Sequence, residues 1–357
     1  MESTETDPVR VGIVGLGGIG NHHATRIDGL GHDIVGGVDV SEAAREAFAD
    51  SYGCETYADA EALYEGDLDA VLVTTPNRYH EQYAVAALEH GHNVLLEKPL
   101  AHTVESAEHI AEAAADAEGF CMVGFNNRFS PGVEVLKARQ AAGQFGELTH
   151  VEANYVRRRG IPSRGTWFTT KAISGGGALI DIGVHAIDLA LHLLDFPEIV
   201  EVSGETRSAF GGREDYTYLQ MWGDDAGPED FDVEDSATAF VRLAGGKTVS
   251  LDVAWAVNRP GNDEFVVTGT EAGATFDRGT GELTIYETAR AGADQFADAT
   301  VETRPTDTHE AEERRFFEAV RSGDPPRRNT PEQALQVQRV IDAIYRSEAT
   351  GRAVRFD

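Results

Sequence analysis

The stretch VRVGIVGLGGIG, residues 9–20, decides the fold of this chain. Its first half, Val9 to Val14, is a short apolar run that predicts a buried strand, and a helical stretch follows from about Ile19 to Leu30. The pattern Gly-x-Gly-x-x-Gly between them is made by Gly15, Gly17 and Gly20. Glycines there allow a tight turn and let backbone amides approach a pyrophosphate at the helix N-terminus. Strand, glycines and helix together predict a dinucleotide site.

Asp39 adds a fourth element to this pattern. It lies 19 residues after Gly20, at the end of a second apolar strand predicted from Asp33 to Val40, where a carboxylate can accept hydrogen bonds from both ribose hydroxyls. The same carboxylate repels a 2′-phosphate, which favours NAD over NADP. The Arg45 guanidinium can form an ion pair with that phosphate if the loop folds back, so NADP remains the alternative cofactor. We expect cofactor contacts from Gly15, Gly17, Gly18, Ile19, Gly20, Asp39 and Arg45.

Strands and helices alternate through the first 130 residues. Further strands are predicted at Ala70–Thr74, Asn93–Leu96 and Cys121–Phe125, and helices at Ser41–Asp50, Tyr79–His90 and Thr103–Glu118. Short apolar strands that alternate with helices indicate βαβ units and a parallel sheet. The prediction is an α/β Rossmann domain over residues 1–130 that binds the cofactor.

Two loops of this domain carry polar side chains where parallel sheets bind ligands, at the carboxyl ends of strands. Thr75, Pro76, Asn77 and His80 follow one strand, and Glu97 and Lys98 end the next. We expect all six to contact the cofactor. Lys98 is one of only 4 lysines in a chain with 26 arginines. A lysine retained in such a chain indicates a task that arginine cannot perform, such as a compact donor. A structural pair with Glu97 is the alternative.

The second half of the chain predicts a different architecture. Strands are expected at Gly146–Arg159, Ile199–Ala209, Tyr216–Trp222, Ser236–Leu243, Thr248–Ala256 and Phe265–Gly269, and late helices at His309–Ser322 and Pro331–Glu348. Several of these strands alternate polar and apolar residues, which is typical of an antiparallel sheet with one covered face. Residues 131–357 are therefore expected to form a second, α/β domain that binds substrate.

A segment of this second domain carries candidate catalytic side chains. A glycine run, 175–177, precedes a helix predicted from about Ala178 to Leu194. Spacings of four and three residues would place Asp181, His185 and Asp188 on one face of it. Beside Asp181, His185 is a candidate general base, since its reference pKa of about 6.5 suits proton removal near neutrality. Asp188 is expected to orient other groups, and His192 to be structural.

Composition excludes several classes of partner. With 61 acidic against 30 basic residues the net charge is −31, so nucleic acid and anionic membranes are not expected partners. Scarce lysine with such acidity favours a folded protein of a very salty cytoplasm; an ordinary acidic protein is the alternative. The acidic start is unlike a signal peptide, and no run of about 18 apolar residues predicts a membrane span. The two cysteines fit a reducing compartment, and no motif predicts a metal site.

These residues resemble one known family. The matching segments are 15–20, Thr75-Pro76-Asn77 with His80, Glu97-Lys98-Pro99, and Gly176 through Asp181 and His185 to Asp188. In that order and spacing they resemble the Gfo/Idh/MocA family, named for glucose–fructose oxidoreductase, inositol dehydrogenase and a rhizopine catabolism protein. The acidic composition resembles that of a haloarchaeal member. The resemblance implies a Rossmann domain and a C-terminal domain with a large, open, mostly antiparallel sheet. That sheet usually joins a homodimer or homotetramer.

The resemblance also implies a reaction. Lys98, Asp181 and His185 match the family's catalytic positions, so we expect NAD(P)-dependent oxidation of a secondary alcohol on a sugar, polyol or related carbohydrate. Residues 159–168 resemble a substrate loop. Substrate contacts are expected from Asn126, Arg128 and Trp167 besides Asp181 and His185. Two of the arginines in Arg157–Arg159 would share one face of a strand and can bind an acidic sugar. Salt bridges to the abundant carboxylates are the alternative use of these arginines. A redox-assisted glycosidase with tightly held NAD, or a sensor without turnover, are the rival functions.

Overall fold

The computed structural model describes residues 7–217, 219, 223 and 225–356. The chain forms two compact units: one comprises the residues up to Phe125 with His309–Leu335, and the other comprises Asn126–Thr308 with Gln336 onward. The first junction lies five residues from the expected boundary at 130. The segment 309–335 differs from the expectation, because it belongs to the first unit although it comes late in the chain.

The first unit contains a six-stranded sheet in which every strand pair is parallel. Its strands are β1 (Arg10–Val14), β2 (Asp33–Val38), β3 (Glu55–Tyr57), β4 (Ala70–Val73), β5 (Asn93–Glu97) and β6 (Cys121–Gly124), in the order β3-β2-β1-β4-β5-β6. The helices between them are α1 (Gly18–Gly29), α2 (Glu42–Tyr52), α3 (Glu61–Tyr64), α4 (His80–Glu89) and α5 (Val104–Asp116). This strand order is that of a dinucleotide-binding Rossmann domain, which confirms the expected fold.

Local sequence explains where these helices begin. Ser41 caps α2 as expected: its hydroxyl accepts a hydrogen bond from the Ala44 N–H at 3.3 Å. Thr103 caps α5 in the same way, through the Ser106 N–H at 3.2 Å. The four residues of β4 and the last four of β1 are all buried, because helices cover both faces of a parallel sheet.

The late segment joins the first unit through specific contacts. Phe316 and Phe317, on α9 (Thr308–Ser322), are buried, and Phe317 lies 4.0 Å from the ring of His32. Asn329 exchanges hydrogen bonds with the backbone of β6: its side-chain amide donates to the Val123 carbonyl, and its own carbonyl accepts the Val123 N–H. These contacts extend the edge of the parallel sheet with a segment from far along the chain.

The second unit contains a nine-stranded sheet. Its strands are β7 (Leu148–Val156), β8 (Ile199–Arg207), β9 (Ser236–Leu243), β10 (Thr248–Ala254), β11 (Glu264–Gly269), β12 (Ala272–Asp277), β13 (Leu283–Ala291), β14 (Ala293–Val301) and β15 (Val354–Arg355). Their order is β14-β13-β12-β11-β7-β10-β9-β8-β15, and the pairs are antiparallel except β7 with β10. The remaining helices are α6 (Pro131–Ala141), α7 (Lys171–Ser174), α8 (Val184–Leu193) and α10 (Pro331–Thr350). The expected large, mostly antiparallel sheet is confirmed.

The strands of the structure differ from the predicted ones in two respects. The strand expected at 216–222 lies mostly outside the described residues, and the described Tyr216 and Thr217 are not in a strand. Strands β3, β12 to β14 and β15 were not expected. In β14, whose sequence is ADQFADATV, every residue but the last is exposed, so it lacks the alternation of buried apolar residues that identifies a half-buried strand.

One helical run among the described residues is long and apolar enough to cross a membrane by composition. It spans Lys171–Leu193, 23 residues, and its most apolar window of 18 residues has a mean hydropathy of 1.3. The structure buries 83% of its most apolar window inside the protein, as in the core helix of a globular domain. Its apolar character is accounted for by the packing of α8 in the second unit.

Candidate active site

The glycine loop of the first unit has the shape that a pyrophosphate requires. A Cβ on Gly20 would lie 2.0 Å from the Gly15 carbonyl oxygen, and Gly15 itself has φ of +100°, so both positions need glycine. A Cβ on Gly17 or Gly18 would meet nothing within 4 Å, so this side of the loop is open to a ligand. Helix α1 begins here without a side-chain cap, so its first N–H groups can bind an anion.

Asp39 is held beside this loop. One carboxylate oxygen accepts the Leu16 N–H at 2.9 Å and the other accepts the Ser41 N–H at 2.8 Å. The carboxylate therefore has a fixed place between the glycine loop and the start of α2. Arg45 donates instead to the backbone carbonyls of Asp39 at 2.8 Å and Val40 at 3.2 Å. Its guanidinium thus lies near the expected ribose position but binds main chain.

The loop after β4 offers further groups to the cofactor. The Thr75 hydroxyl is buried and has no hydrogen-bond partner in the described part of the chain. Buried polar groups normally have a partner, so a bound cofactor is a candidate partner for this hydroxyl. Asn77 is buried, and Pro76 is half-buried. Together with the open glycine loop and Asp39, these residues fit a nicotinamide dinucleotide.

His80 differs from the expected cofactor contact. It is only 1% exposed, and its ring nitrogens lie 2.8 Å from the Pro99 carbonyl oxygen and 2.9 Å from that of Thr75. Burial lowers its pKa, while the two carbonyls act in the opposite direction. The imidazole therefore connects the loop after β4 with the loop after β5, and its effect on a cofactor would pass through those loops.

Glu97 and Lys98 lie beside a group that the sequence did not reveal. The Glu97 side chain accepts the Lys98 backbone N–H at 3.0 Å through Oε2. Its Oε1 lies 2.7 Å from Nε2 of His23 on α1, and the other nitrogen of His23 lies 2.6 Å from Glu313 on α9. The chain Glu313–His23–Glu97 is buried at every member. Because carboxylates accept, both ring nitrogens donate and the ring is an imidazolium.

Electrostatics support this assignment of charge. Burial alone would lower the pKa of His23, but the hydrogen bonds from Glu313 and Glu97 and their charges raise it to about 10. Burial would likewise raise the pKa of Glu97, but the hydrogen bond and charge of His23, aided by the Lys98 ammonium, lower it to about 2. A cation between two carboxylates is how a protein tolerates charge away from water.

In the second unit, Asp181 and His185 lie on adjoining turns. A π-helical turn, Leu179–Gly183, leads into α8, and both side chains are half-exposed. The buried indole of Trp255, which directly follows β10, donates to Asp181 Oδ2 at 2.9 Å. Asp188 does not share their exposure, since it is 1% exposed. The expected stripe of three ionisable groups is therefore a pair, with Asp188 turned into the core.

The start of this helical segment is fixed by Glu234. Its buried carboxylate accepts the backbone N–H groups of Gly177 and Leu179 at 2.8 to 3.0 Å and the Tyr345 hydroxyl at 3.0 Å. A negative charge at a helix N-terminus is stabilising. A Cβ on Gly177 would lie 1.9 Å from the Glu234 carbonyl oxygen. The glycine run thus allows the close approach of Glu234 and of Tyr345, whose hydroxyl oxygen would lie 2.0 Å from a Cβ on Gly176.

Arg128 is not placed as a substrate contact. It is fully buried, and its Nε donates to both oxygens of Asp188 at 3.0 and 3.1 Å. Its guanidinium also lies 4.7 Å from the ring centre of Phe196. Burial raises the pKa of Asp188, and the charge of Arg128 opposes that rise. The prediction of a substrate role was made from its place after a strand, which cannot reveal a buried partner 60 residues away.

We expect Arg128→Met to lower the free energy of unfolding by about 3–5 kcal/mol, because it leaves the Asp188 carboxylate buried without its cation. Denaturant unfolding in molar KCl measures this. Arg158→Met, at an exposed arginine, is the control and should change stability by less than about 0.5 kcal/mol. Wild-type stability of Arg128→Met with a raised KM would instead restore the substrate role.

Other expected substrate groups have mixed placements. Asn126 is buried and its amide donates to the Thr308 hydroxyl at 2.8 Å. Trp167 is half-buried and stacks on Phe168 at 3.8 Å. Arg157 and Arg159 follow the end of β7 and donate to neutral acceptors, among them the Tyr155 hydroxyl and the Val257 carbonyl. These acceptors are not carboxylates. Burial lowers the pKa of Arg157, but the charges of Tyr155, Asp181 and Asp263 raise it, so carboxylates act on this arginine and the salt-bridge alternative stays a prediction.

Comparisons with known proteins find relatives that match both units of the chain. Two family models match the chain: the Gfo/Idh/MocA oxidoreductase family, NAD-binding Rossmann fold, over residues 9–125, and the Gfo/Idh/MocA C-terminal domain over residues 133–275. D-glucoside 3-dehydrogenase of Escherichia coli is 30% identical over the whole length of both chains. D-xylose 1-dehydrogenase (NADP(+)) 2 of Haloferax volcanii is 28% identical over 97% of this chain and 99% of its own.

A solved structure shows the same fold. Levoglucosan dehydrogenase in complex with NADH superposes with a TM-score of 0.84 at 23% identity, over 98% of this chain and 100% of that one. The fold and the glycine loop define an NAD-binding oxidoreductase with a Rossmann domain. The chain belongs to the Gfo/Idh/MocA oxidoreductase family, whose relatives named above are dehydrogenases of sugars.

Proposed function

We propose that this protein is a dehydrogenase that oxidises a secondary hydroxyl of a sugar, polyol or related carbohydrate, with NAD as the preferred acceptor. The observation that carries the proposal is the pair Asp181 and His185, half-exposed on adjoining turns, with Asp181 fixed by the Trp255 indole. The similarity to a D-glucoside 3-dehydrogenase supports a ring hydroxyl of a glucoside as the first substrate to test.

Three side chains share the chemistry in this proposal. His185 takes the proton of the substrate hydroxyl. Lys98 donates a hydrogen bond to the same oxygen and stabilises the negative charge that develops on it. Asp181 orients this pair. Pro76, Asn77 and Glu97 support the nicotinamide ribose. The nicotinamide, when bound, supplies the hydride acceptor.

A substrate panel tests the proposal. Sugars, polyols and glycosides, methyl glucosides and levoglucosan among them, are mixed with NAD or NADP in molar KCl, and both NAD(P)H absorbance and products are followed. Net reduction of the cofactor with a keto product is the expected result. Release of an aglycone without net NADH would establish the redox-assisted glycosidase instead. Cofactor binding without any turnover across the panel would favour the sensor.

Asp39 should decide the choice between the two cofactors. We expect Asp39→Ser to weaken NAD binding about 10- to 100-fold, because hydrogen bonds to a charged acceptor contribute about 1.5–3 kcal/mol. The same variant removes the repulsion of a 2′-phosphate, so kcat/KM for NADP rises relative to NAD. Steady-state kinetics with both cofactors at fixed KCl measure this. Asp33→Ser, at the exposed first residue of β2, the strand that Asp39 follows, is the control. An unchanged preference in Asp39→Ser would contradict the assignment.

We infer the setting from charge. The net charge of −31 and the similarity to a Haloferax volcanii enzyme support a cytoplasm of high salt, where screening weakens self-repulsion. If the protein works in high salt, its activity should increase between about 0.1 and 2 M KCl, a range over which the Debye length falls from about 10 Å to below about 3 Å.

The open sheet of the second unit supports assembly as a homodimer or homotetramer, as the family resemblance implies.

A further inference from the structure

The reaction proposed above uses Glu97 of the buried chain Glu313–His23–Glu97, but it uses neither His23 nor Glu313. Its three members come from α9, α1 and the end of β5. In sequence, His23 lies 290 residues from Glu313 and 74 residues from Glu97. His23 is 1% exposed, Glu313 is 0% exposed and Glu97 is 8% exposed. Burial of three ionised groups costs free energy even when they are paired. Such a cluster calls for an explanation beyond packing.

The geometry ties this cluster to Lys98. Glu97 uses one carboxylate oxygen, Oε1, for His23 and the other, Oε2, for the Lys98 N–H. A carboxylate held at both oxygens has one orientation, and the main chain of Lys98 is then held as well. Helix α1, which carries His23, also presents the N-terminus where the pyrophosphate is expected. The cluster therefore links the cofactor helix with the backbone from which the Lys98 side chain extends.

We propose that His23 is a positioning residue of the reaction: it holds Glu97 in the orientation that fixes the backbone of Lys98, and Glu313 holds His23 from the opposite side. The proposal rests on the function proposed above, in which Lys98 contacts the substrate oxygen. His23 does not touch substrate or cofactor in this proposal. It acts through Glu97.

Charge balance agrees with this role. Glu313 and Glu97 bring two negative charges, and His23 and the neighbouring Lys98 bring two positive charges. Replacing His23 by an apolar residue leaves two carboxylates without the cation between them. Glu97 must then rotate away or take up a proton, and either change releases its hold on Lys98. Displacements of about 1 Å at a reacting group can lower a rate about 100-fold.

The test compares two buried histidines of the same unit. His32 is also buried, but it packs on Phe317 and accepts the Val9 N–H, and burial lowers its pKa to about 4. We expect His23→Leu to lower kcat about 10- to 100-fold and to raise the Kd for NADH, measured by fluorescence, by a much smaller factor of at most about fivefold, since Glu97 also supports the nicotinamide ribose. His32→Leu should lower thermal stability and leave kcat within about twofold. Wild-type kcat in His23→Leu overturns the proposal and assigns the cluster to stability alone.

Further variants keep the test decisive. If His23→Leu does not fold, His23→Gln, which still donates one hydrogen bond, should lower kcat by at least about fivefold, and wild-type kcat there overturns the proposal equally. In a Lys98→Ala background, His23→Leu should lower kcat no further. An additional loss there also overturns it, since His23 would act apart from Lys98. Wild-type turnover of Lys98→Ala alone would refute the proposed function, which separates the two failures.

Discussion

His185→Ala is expected to lower kcat by about 10²–10⁴-fold and to leave NADH binding within about twofold of wild type. Positioned general bases contribute rate factors of this size, because proton removal from a hydroxyl by water at neutral pH is unfavourable. The cofactor groups assigned above lie in the first unit, whereas His185 lies on α8 of the second. Loss of the imidazole should therefore affect the chemical step and not cofactor affinity.

The control for this prediction lies on the same helix. His192→Ala removes another half-buried imidazole from α8, seven residues further on, where we assign a structural role. Its kcat should stay within about threefold of wild type. Turnover at saturating substrate and NADH titration by fluorescence measure both variants. Near-wild-type turnover of His185→Ala would contradict the base assignment, and equal losses in the two variants would show that the helix and not the imidazole is affected.

Local sequence patterns were sufficient for the cofactor half of the molecule. Glycine spacing, strand periodicity and the position of Asp39 are all set within about 30 residues, and the structure holds Asp39 against the glycine loop through Leu16. The predicted cap Ser41 is likewise a contact across three residues. Such features can be read from sequence, because neighbours along the chain determine them.

The supporting groups of the site could not be predicted in this way. Trp255 reaches Asp181 across 74 residues, and Glu313 reaches His23 across 290. Neither contact changes the local pattern of hydrophobic residues, so no spacing rule detects it. Arg128 shows the reverse error: it was expected to contact substrate, but its partner Asp188 holds it in the core. The position of a residue along a strand or helix therefore does not predict whether its side chain is exposed, because a distant partner can hold that side chain in the core.

The scarcity of lysine gives the sharpest test of the site. Three of the four lysines make contacts that arginine can also make. Lys137 donates to Asp195 and to the His192 carbonyl, Lys247 donates to the Leu194 carbonyl, and Lys171 lies 5.6 Å from the ring centre of Tyr345. A guanidinium can donate to carboxylates and carbonyls and can stack on rings. At these three positions Lys→Arg should keep kcat within about threefold.

Lys98 should behave differently from these three. Lys98→Ala is expected to lower kcat by at least about 10³-fold, since even an uncharged oxyanion donor contributes about 10²–10³. Lys98→Arg should lose at least about 10²-fold, because a planar guanidinium cannot replace a compact ammonium on one alkoxide oxygen. Turnover of all four Lys→Arg variants in molar KCl, with NADH binding as the check on folding, measures this. Arginine tolerated at 98 as well would mean that only a positive charge is needed there. Arginine rejected only at 98 would show that this chain, which uses arginine almost everywhere, keeps lysine there for the chemistry.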